Sequence, residues 1–234
     1  MCVWKVFRPP GANRDSIFIT TERYNFAVLE FDPVSGEINT KAQGSVKDKI
    51  GRPCDRGQIA VVHSTMILAH IYDGVFKVLP VDEKGVFWDM FNVRLEHLNV
   101  LDLVFLSTPS PTLAVLYQDN RGARHVQTYE ILLKDQSLST GPWHKPNVES
   151  GAEMLIPVHA PYGGVLVIGQ QTICYCNGTD TTTINMGLSH ISAWGAVDAT
   201  EGTMLRYLLG DGSGTLGVLV LEHDGEKVTS LLVK

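Results

Sequence analysis

Two features of this sequence have residue types and spacing that could support chemistry: a glycine-rich run and a close pair of cysteines. The run Gly212-Ser-Gly-Thr-Leu-Gly217 matches the G-x-G-x-x-G pattern of nucleotide-binding loops. A dinucleotide site needs a helix directly after the glycines, because the helix N-terminus binds the pyrophosphate. Here Leu216–Leu221 has the pattern of a strand, and the lysine, catalytic loop and metal-binding aspartate of a kinase are missing. We therefore expect a hairpin turn at these glycines and no nucleotide site.

The two cysteines, Cys174 and Cys176, are separated by one residue. On a strand both would point to the same face, but no second Cys or His pair with ligand spacing accompanies them. We interpret them as ordinary half-buried thiols. The eight histidines show no metal-binding spacing, and neither a G-x-S-x-G motif nor a pair of carboxylates stands out. The sequence therefore predicts no catalytic, cofactor or metal residue, and a protein that is not an enzyme.

Composition points to an ordinary globular chain. Its 234 residues are 44% hydrophobic and 19% charged, with a formal net charge of −6. An acidic chain lacks the general attraction to phosphate backbones that DNA-binding domains carry. The first residues do not resemble a signal peptide, and no run approaches 18 apolar residues, so we expect no membrane partner. Four cysteines make no disulfide framework, which favours a reducing compartment, the nucleus or cytoplasm.

Strand signals dominate the chain, and Gly, Asp, Asn or Pro bounds most of them. The short apolar or alternating runs are Ile17–Thr20, Asn25–Phe31, Ile59–Val62, Met66–Tyr72, Val75–Leu79, Leu113–Tyr117, Val126–Leu133, Val165–Ile168, Thr172–Tyr175, Arg206–Leu209 and Leu216–Leu221. Helical periodicity between strands is absent, which argues against a parallel α/β sheet. The stretch Val93–Leu106 is nearly unbroken in apolar residues from Val100, and we favour a buried strand there over a helix.

Polar or glycine-containing turns separate these runs in pairs, and the pairs recur. The turns are Glu22–Asn25, Tyr72–Gly74, Asp119–Gly122, Gly169–Gln171 and Gly210–Gly214. Their spacing of roughly 42 to 50 residues is typical of a β-propeller with four strands in each blade. We predict an all-β propeller of about five four-stranded antiparallel blades. Asn177-Gly178 is interpreted as a further tight turn.

The predicted ring is incomplete. The first hairpin begins only about 16 residues into the chain, and the sequence stops directly after a strand. We therefore expect residues 1–234 to be a partial N-terminal propeller domain that lacks its opening strands and its closing blades. On this interpretation Phe18–Thr20 faces an absent inner strand, and Val218–Leu221 lies against an absent next blade.

Ten strings in order along the chain carry a family resemblance. They are Phe7–Pro9, Arg23–Glu30, Ile50–Pro53, Tyr72–Asp82, Phe91–Glu96, Tyr117–Asp119, Arg124–Glu130, Gly141–Trp143, Gly163–Gln170 and Arg206–Asp211. Together they resemble the first β-propeller of the damaged DNA-binding protein 1 family, the large propeller adaptors of cullin-4 ubiquitin ligases. The resemblance runs from about Val3 to the end. The large propeller subunits of splicing factor 3b and of the cleavage and polyadenylation factor are related.

The resemblance implies a scaffold that works by presenting surfaces, in DNA repair and ubiquitination, without catalysis. The implied partners are the substrate-receptor subunits of cullin-4 ligases and a damage-recognition subunit, with nucleic acid reached only through partners. The implied location is the nucleus and cytoplasm. Members of that family carry a second and a third propeller, and we expect this sequence to be a fragment without them. The alternative is a nucleic-acid-associated propeller scaffold of the pre-mRNA splicing or polyadenylation machinery.

Four charged residues in the matching polar connections are our candidates for partner contacts: Lys49, Arg52, Arg94 and Glu96. Arginine in particular makes bidentate contacts and is enriched at the energetically important positions of interfaces. An alternative remains open, in which Arg52 and Arg94 tie neighbouring blades together by donating to backbone carbonyls.

Overall fold

The computed structural model describes residues 3–47, 59–83, 85–97, 99–197 and 205–234. Within these ranges the regular secondary structure is β-strand, without any α-helix, and so without a helix that could cross a membrane. Twenty strands form five four-stranded sheets, each built from four strands consecutive in sequence. The predicted fold class, an all-β chain with five four-stranded antiparallel sheets, is confirmed.

Sheets 1 and 2 occupy the first part of the chain. Sheet 1 contains β1 (Val3–Phe7), β2 (Ser16–Thr20), β3 (Asn25–Asp32) and β4 (Glu37–Ser45). Sheet 2 contains β5 (Ile59–His63), β6 (Met66–Tyr72), β7 (Val75–Pro80) and β8 (Phe91–Arg94). Short connections join the antiparallel neighbours, so strand order follows chain order.

Sheets 3, 4 and 5 repeat this plan. Sheet 3 contains β9 (Asn99–Phe105), β10 (Thr112–Gln118), β11 (Arg124–Leu132) and β12 (Ser137–Val148). Sheet 4 contains β13 (Met154–Pro157), β14 (Val165–Ile168), β15 (Thr172–Cys176) and β16 (Thr181–Asn185). Sheet 5 contains β17 (Ile191–Ala196), β18 (Arg206–Asp211), β19 (Leu216–Asp224) and β20 (Lys227–Val233). The strand favoured after Val100 is confirmed as β9.

Each of the five predicted turns joins the second and third strands of one sheet. The glycine-rich run is one of them: Gly214 has a φ of +89° in the turn, and β19 follows it directly. The predicted strand–turn–strand geometry of this run is confirmed. Asn177 also begins a turn, in which its side-chain oxygen accepts the backbone N–H groups of Thr179 and Asp180 at 3.0 and 2.7 Å.

One expectation about the start of the chain is wrong. Phe18 does not face an absent inner strand, because it lies opposite Lys5 of β1 in an antiparallel ladder. Sheet 1 therefore has all four of its strands. The sequence pattern does not predict β1 because Lys5 interrupts its apolar residues. Three of its five side chains are exposed, so the strand contains no buried apolar run. At the other end, the segment Val218–Leu221 lies in β19, between β18 and β20.

The chain forms two compact units, Met1–Val100 with Ile131–Ser139, and Leu101–Glu130 with Thr140–Lys234. In the first unit, the apolar core lies between sheets 1 and 2. Its buried residues are Phe7, Phe18, Phe26, Val28, Val46, Ala60, Ile67, Ala69, Leu79 and Val81. The rings of Phe18 and Phe26 stack at 5.7 Å between centroids.

The second unit contains two apolar clusters. One is contributed by sheets 4 and 5 and includes Tyr175, Tyr207 and Leu219, all essentially inaccessible to solvent. The other joins sheets 3 and 4 and includes Leu116 and Val167. In both, side chains of facing sheets alternate inward along the strands, which is how stacked sheets build a core.

Candidate interaction surface

The segment from Val93 to His97, at the end of sheet 2, presents two of the four candidate residues to solvent. Val93 and Leu95 are buried, with 6% and 3% of their surface accessible, whereas Arg94 and Glu96 are exposed. The two apolar residues are packed in the interior, whereas the two charged side chains are accessible to solvent. The structure thus brings Arg94 and Glu96 onto one exposed edge.

This segment is held close to the turn between β6 and β7. The Leu95 backbone N–H donates to the Gly74 carbonyl at 2.9 Å. Gly74 has a φ of +73°, and a Cβ at this position would collide with the carbonyl oxygen of His97. Glycine is therefore required here both for the left-handed backbone and for the close approach. The contact fixes the position of Glu96 relative to the turn.

The surface carries charges of both signs. Among the residues that the structure describes, no ion pair or side-chain hydrogen bond involves Arg94 or Glu96. The exposed Asp73 lies in the adjoining turn, and its charge reaches the buried His70 behind it. Burial lowers the pKa of His70 to about 4, against the opposing effect of Asp73. The site therefore offers one guanidinium and two carboxylates, and the buried His70 behind them is uncharged at neutral pH.

The other two candidates, Lys49 and Arg52, lie outside the described residues. For Arg94, the alternative role of tying blades together through backbone carbonyls is not seen with any residue the structure describes. That role belongs to Arg124, whose Nη1 donates to the Ala152 carbonyl at 2.6 Å within the second unit. Sequence reasoning missed it, because Arg124 and Ala152 are 28 residues apart and nothing in the local pattern connects them.

Carboxylates that anchor turns are a second group that sequence reasoning missed. Glu149 accepts the backbone N–H groups of Gln170, Gln171 and Thr172 at 2.9, 3.0 and 2.8 Å. It also accepts the Thr172 hydroxyl at 2.6 Å. Partial burial opposes ionisation, but the Thr172 hydroxyl and the backbone donors prevail and lower the Glu149 pKa. Glu149 thereby fastens the end of sheet 3 to the turn of sheet 4.

Asp211 performs the same task in sheet 5. It accepts the Ser213 and Thr215 backbone N–H groups at 2.9 and 2.8 Å, together with the hydroxyls of Ser213 and Ser189. The Ser213 hydroxyl leads these donors in lowering the Asp211 pKa, which burial alone would raise. In sheet 3, Asp119 accepts the N–H groups that follow it in its turn. In each of these three turns a carboxylate therefore satisfies backbone N–H groups that the strands leave unpaired.

The remaining features offer no catalytic arrangement within the described residues. The second unit has a groove of about 510 Å³ whose lining is mainly apolar, including Ile184, Leu188 and Leu216. No cluster of His, Cys, Asp or Glu suited to a metal ion occurs in the part of the chain that the structure describes. Cys174 is partly buried and Cys176 fully. Burial raises the pKa of the Cys176 thiol to about 12, which makes it a poor nucleophile.

Comparison with known proteins agrees with the architecture. Residues 2–234 match the family described as the RSE1/DDB1/CPSF1 first beta-propeller. DNA damage-binding protein 1 of tomato, Solanum lycopersicum, is 49% identical over 233 residues, which cover 98% of this chain and 21% of the relative. DNA damage-binding protein 1a of Arabidopsis thaliana has the same identity and coverage. DNA damage-binding protein 1 of rice, Oryza sativa subsp. japonica, is 50% identical over 234 residues with the same coverage.

Five consecutive four-stranded antiparallel sheets define the class, a β-propeller domain. Within that class the chain belongs to the RSE1/DDB1/CPSF1 first β-propeller family. The chain spans about a fifth of the length of the curated relatives it matches. The family resemblance inferred from the ten sequence strings is thereby confirmed.

Proposed function

We propose that this chain is a non-catalytic interaction scaffold that binds substrate-receptor subunits of cullin-4 ubiquitin ligases through a surface including Arg94 and Glu96. The observation that carries the proposal is the identity of about half of all residues, over 98% of the chain, with proteins named DNA damage-binding protein 1. A scaffold needs a rigid surface and no reactive group. Arg94 and Glu96 are exposed, whereas Val93 and Leu95 beside them are buried, so this segment can present charges from a fixed backbone.

The chemistry of the surface supports charged, specific contacts. Arg94 can donate two parallel hydrogen bonds to a carboxylate, and Glu96, two residues further along the chain, can accept from a cation. Neither side chain has to break an ion pair with a described residue in order to bind. Their partner should therefore present an acidic and a basic group at matching spacing. Lys49 and Arg52 remain proposed contacts of the same surface.

The test is a binding titration with purified substrate-receptor subunits of cullin-4 ligases, using the whole chain. We expect Arg94→Glu and Glu96→Lys each to weaken binding by about tenfold or more, because each places like charges opposite one another. Arg121→Glu and Glu83→Lys are matched controls, since they make the same charge changes at exposed positions elsewhere. Binding that is unaffected by Arg94→Glu, or reduced equally by Arg121→Glu, contradicts the proposed surface.

The alternative is a scaffold of the splicing or polyadenylation machinery, since the matched family also includes RSE1 and CPSF1. The named relatives favour the ubiquitin-ligase proposal. Affinity purification of the tagged chain, with identification by mass spectrometry, separates the two. Recovery of splicing or polyadenylation subunits without cullin-4 receptors supports the alternative and contradicts our proposal.

We further propose that the chain meets damaged DNA only through a damage-recognition subunit, and that it occupies the nucleus and cytoplasm. The net charge of −6 disfavours direct binding to phosphate backbones. A fluorescence anisotropy titration at physiological salt should give no preference for damaged over intact duplex. Submicromolar binding to the damaged duplex by the chain alone contradicts this, and a fluorescent fusion restricted to another compartment contradicts the location.

A further inference from the structure

The connection between β9 and β10 contains the only two prolines of the sequence that follow a serine or a threonine. It reads Leu106-Ser-Thr-Pro-Ser-Pro111, so Thr108 precedes Pro109 and Ser110 precedes Pro111. A hydroxyl residue followed directly by proline is the acceptor that proline-directed protein kinases select. Proline has no N–H and keeps the residue before it extended, and a kinase cleft binds an extended acceptor. By sequence alone, Thr108 and Ser110 are equivalent acceptors.

The structure distinguishes the two acceptors by exposure and by hydrogen bonding. Thr108 is partly buried, and its hydroxyl donates to the Ser110 carbonyl at 2.7 Å, inside the connection. Ser110 is exposed. Among the described residues its hydroxyl has only long contacts, with the Glu130 carboxylate at 3.4 Å and with the Thr112 hydroxyl at 3.5 Å. The Ser110 hydroxyl can therefore leave its partners at little cost, whereas the Thr108 hydroxyl closes the turn.

The backbone of the connection is fixed, so the Ser110 hydroxyl is presented from a defined position. The Leu106 N–H donates to the Thr112 carbonyl at 2.8 Å, where β10 begins. The Ser110 carbonyl accepts the hydroxyls of Thr108 and Thr112 at 2.7 and 3.2 Å. Thr112 is itself buried, which ties the connection to the interior of sheet 3. Pro109 and Ser110 are the two exposed residues of the connection.

We propose that Ser110 is a phosphorylation site of this chain, modified by a kinase of the proline-directed class with ATP as the phosphoryl donor. The Ser110 Oγ bonds to the γ-phosphorus of ATP, and the bond from that phosphorus to the oxygen bridging the β-phosphate breaks, so that ADP leaves. The hydroxyl proton passes to the catalytic carboxylate of the kinase. The site does not include Arg94 or Glu96, so it stands independently of the proposed receptor contacts.

A phosphate at this position would lie against a carboxylate. The Ser110 Oγ is 3.4 Å from the Glu130 Oε1, and Glu130 lies opposite Thr112 in the ladder of β10 and β11. A phosphoserine carries a charge of about −1.5 to −2 at neutral pH, and its dianion has no proton to donate. No lysine or arginine pairs with Glu130 in the part of the chain that the structure describes. Phosphorylation therefore replaces a hydrogen bond with repulsion between like charges at the start of β10.

The first test is phosphorylation of the purified whole chain, with the acceptor identified by peptide mapping in a mass spectrometer. The kinase is a proline-directed one that phosphorylates a synthetic peptide of residues 104–115. We expect phosphate on Ser110, and we expect it to be lost in Ser110→Ala and in Pro111→Ala, which keeps the hydroxyl.

Thr108→Ala and Pro109→Ala are the matched controls, because they make the same two changes at the neighbouring acceptor. Neither should lower incorporation at Ser110. Phosphate on Thr108 instead of Ser110, no phosphate on the folded chain, or incorporation that survives Pro111→Ala overturns the proposal.

The second test measures the consequence of the charge. Phosphorylation should lower the midpoint of thermal unfolding of the parent chain by about 2–4 °C. The loss should shrink in Glu130→Gln, and in Glu130→Lys the phosphate should raise the midpoint, because it then faces a cation. Glu226→Lys makes the same charge change at an exposed residue of the β19–β20 turn and should leave the loss as in the parent. A phosphate effect of the same sign and size in the parent, Glu130→Gln and Glu130→Lys contradicts the assigned contact.

Discussion

The carboxylate of Glu149 accepts both the backbone N–H and the side-chain hydroxyl of Thr172, at 2.8 and 2.6 Å. Glu149 follows the last strand of sheet 3, whereas Thr172 begins the third strand of sheet 4. Two further N–H groups of the same turn reach the carboxylate. A single side chain thus serves a turn to which it is not adjacent in sequence, and it links two sheets of the second unit.

Glu149→Ala should lower the free energy of unfolding by about 2 kcal/mol, because it leaves three N–H groups of a tight turn without their acceptor. Glu149→Gln should cost less, since the amide keeps one acceptor oxygen. Urea denaturation monitored by tryptophan fluorescence measures both. Glu153→Ala is the control, because among the described residues the Glu153 side chain makes only a distant ion pair, with Arg124 at 3.8 Å. If Glu149→Ala and Glu153→Ala lowered the free energy of unfolding equally, the predicted anchoring role of Glu149 would be contradicted.

Gly169→Ala should destabilise the chain because its new Cβ would collide with the Glu149 carboxylate. Gly187→Ala is the matched control, since a Cβ there meets nothing within 4 Å. The collision predicts coupling: in the Glu149→Ala background, Gly169→Ala should cost at least about 1 kcal/mol less than in the parent. A double-mutant cycle in urea measures this. Additive costs would contradict the contact.

Gly74→Ala should disturb the candidate interaction surface. Alanine at a φ of +73° costs about 1–2 kcal/mol from the backbone alone, and its Cβ would also push against the His97 carbonyl. Gly36→Ala isolates the first effect, because Gly36 has a φ of +72° with nothing within 4 Å. We expect Gly74→Ala to be the more destabilising in thermal denaturation and to weaken receptor binding, which Gly36→Ala should leave unchanged. Equal behaviour of the two variants contradicts this.

His70 should make stability depend on pH. It is 4% exposed, and its ring lies 5.1 Å from that of Phe76. Because burial lowers its pKa to about 4 from 6.5, the unfolded chain takes up the proton first as the pH falls. Stability is therefore complete above pH 6.5 and is lost progressively toward pH 4, by up to about 3 kcal/mol. Urea midpoints from pH 7.5 to 4.5 measure this loss.

The comparison for His70 is His70→Gln, which cannot titrate. The part of the stability loss that comes from protonation of His70 should disappear in that variant. The contributions of the other histidines should remain in both proteins. NMR titration of the His70 ring in the parent chain gives a second readout that does not depend on the variant folding. A His70 pKa near 6.5, or parallel stability profiles for parent and variant, contradicts the prediction.

The middle strands of every sheet could be predicted because both of their neighbours are strands and much of their surface is buried. Met66–Tyr72, for example, is buried at all seven positions, so it is an unbroken apolar run bounded by turn residues. Among the outermost strands, β5 and β9 gave such a signal but others did not. β4 is mostly exposed, and β16 is a run of threonines ending in Ile184 and Asn185. They are strands because a neighbouring strand offers them hydrogen bonds, which composition does not reveal.

The chain's sequence by itself determined the sheet-forming hairpins, their repeat and the family. Those properties depend on residues close together in the chain. Only the tertiary structure decided that Glu149 anchors the Thr172 turn and that Arg124 reaches Ala152. These contacts join residues tens of positions apart, and their geometry exists only once strands have paired and sheets have packed.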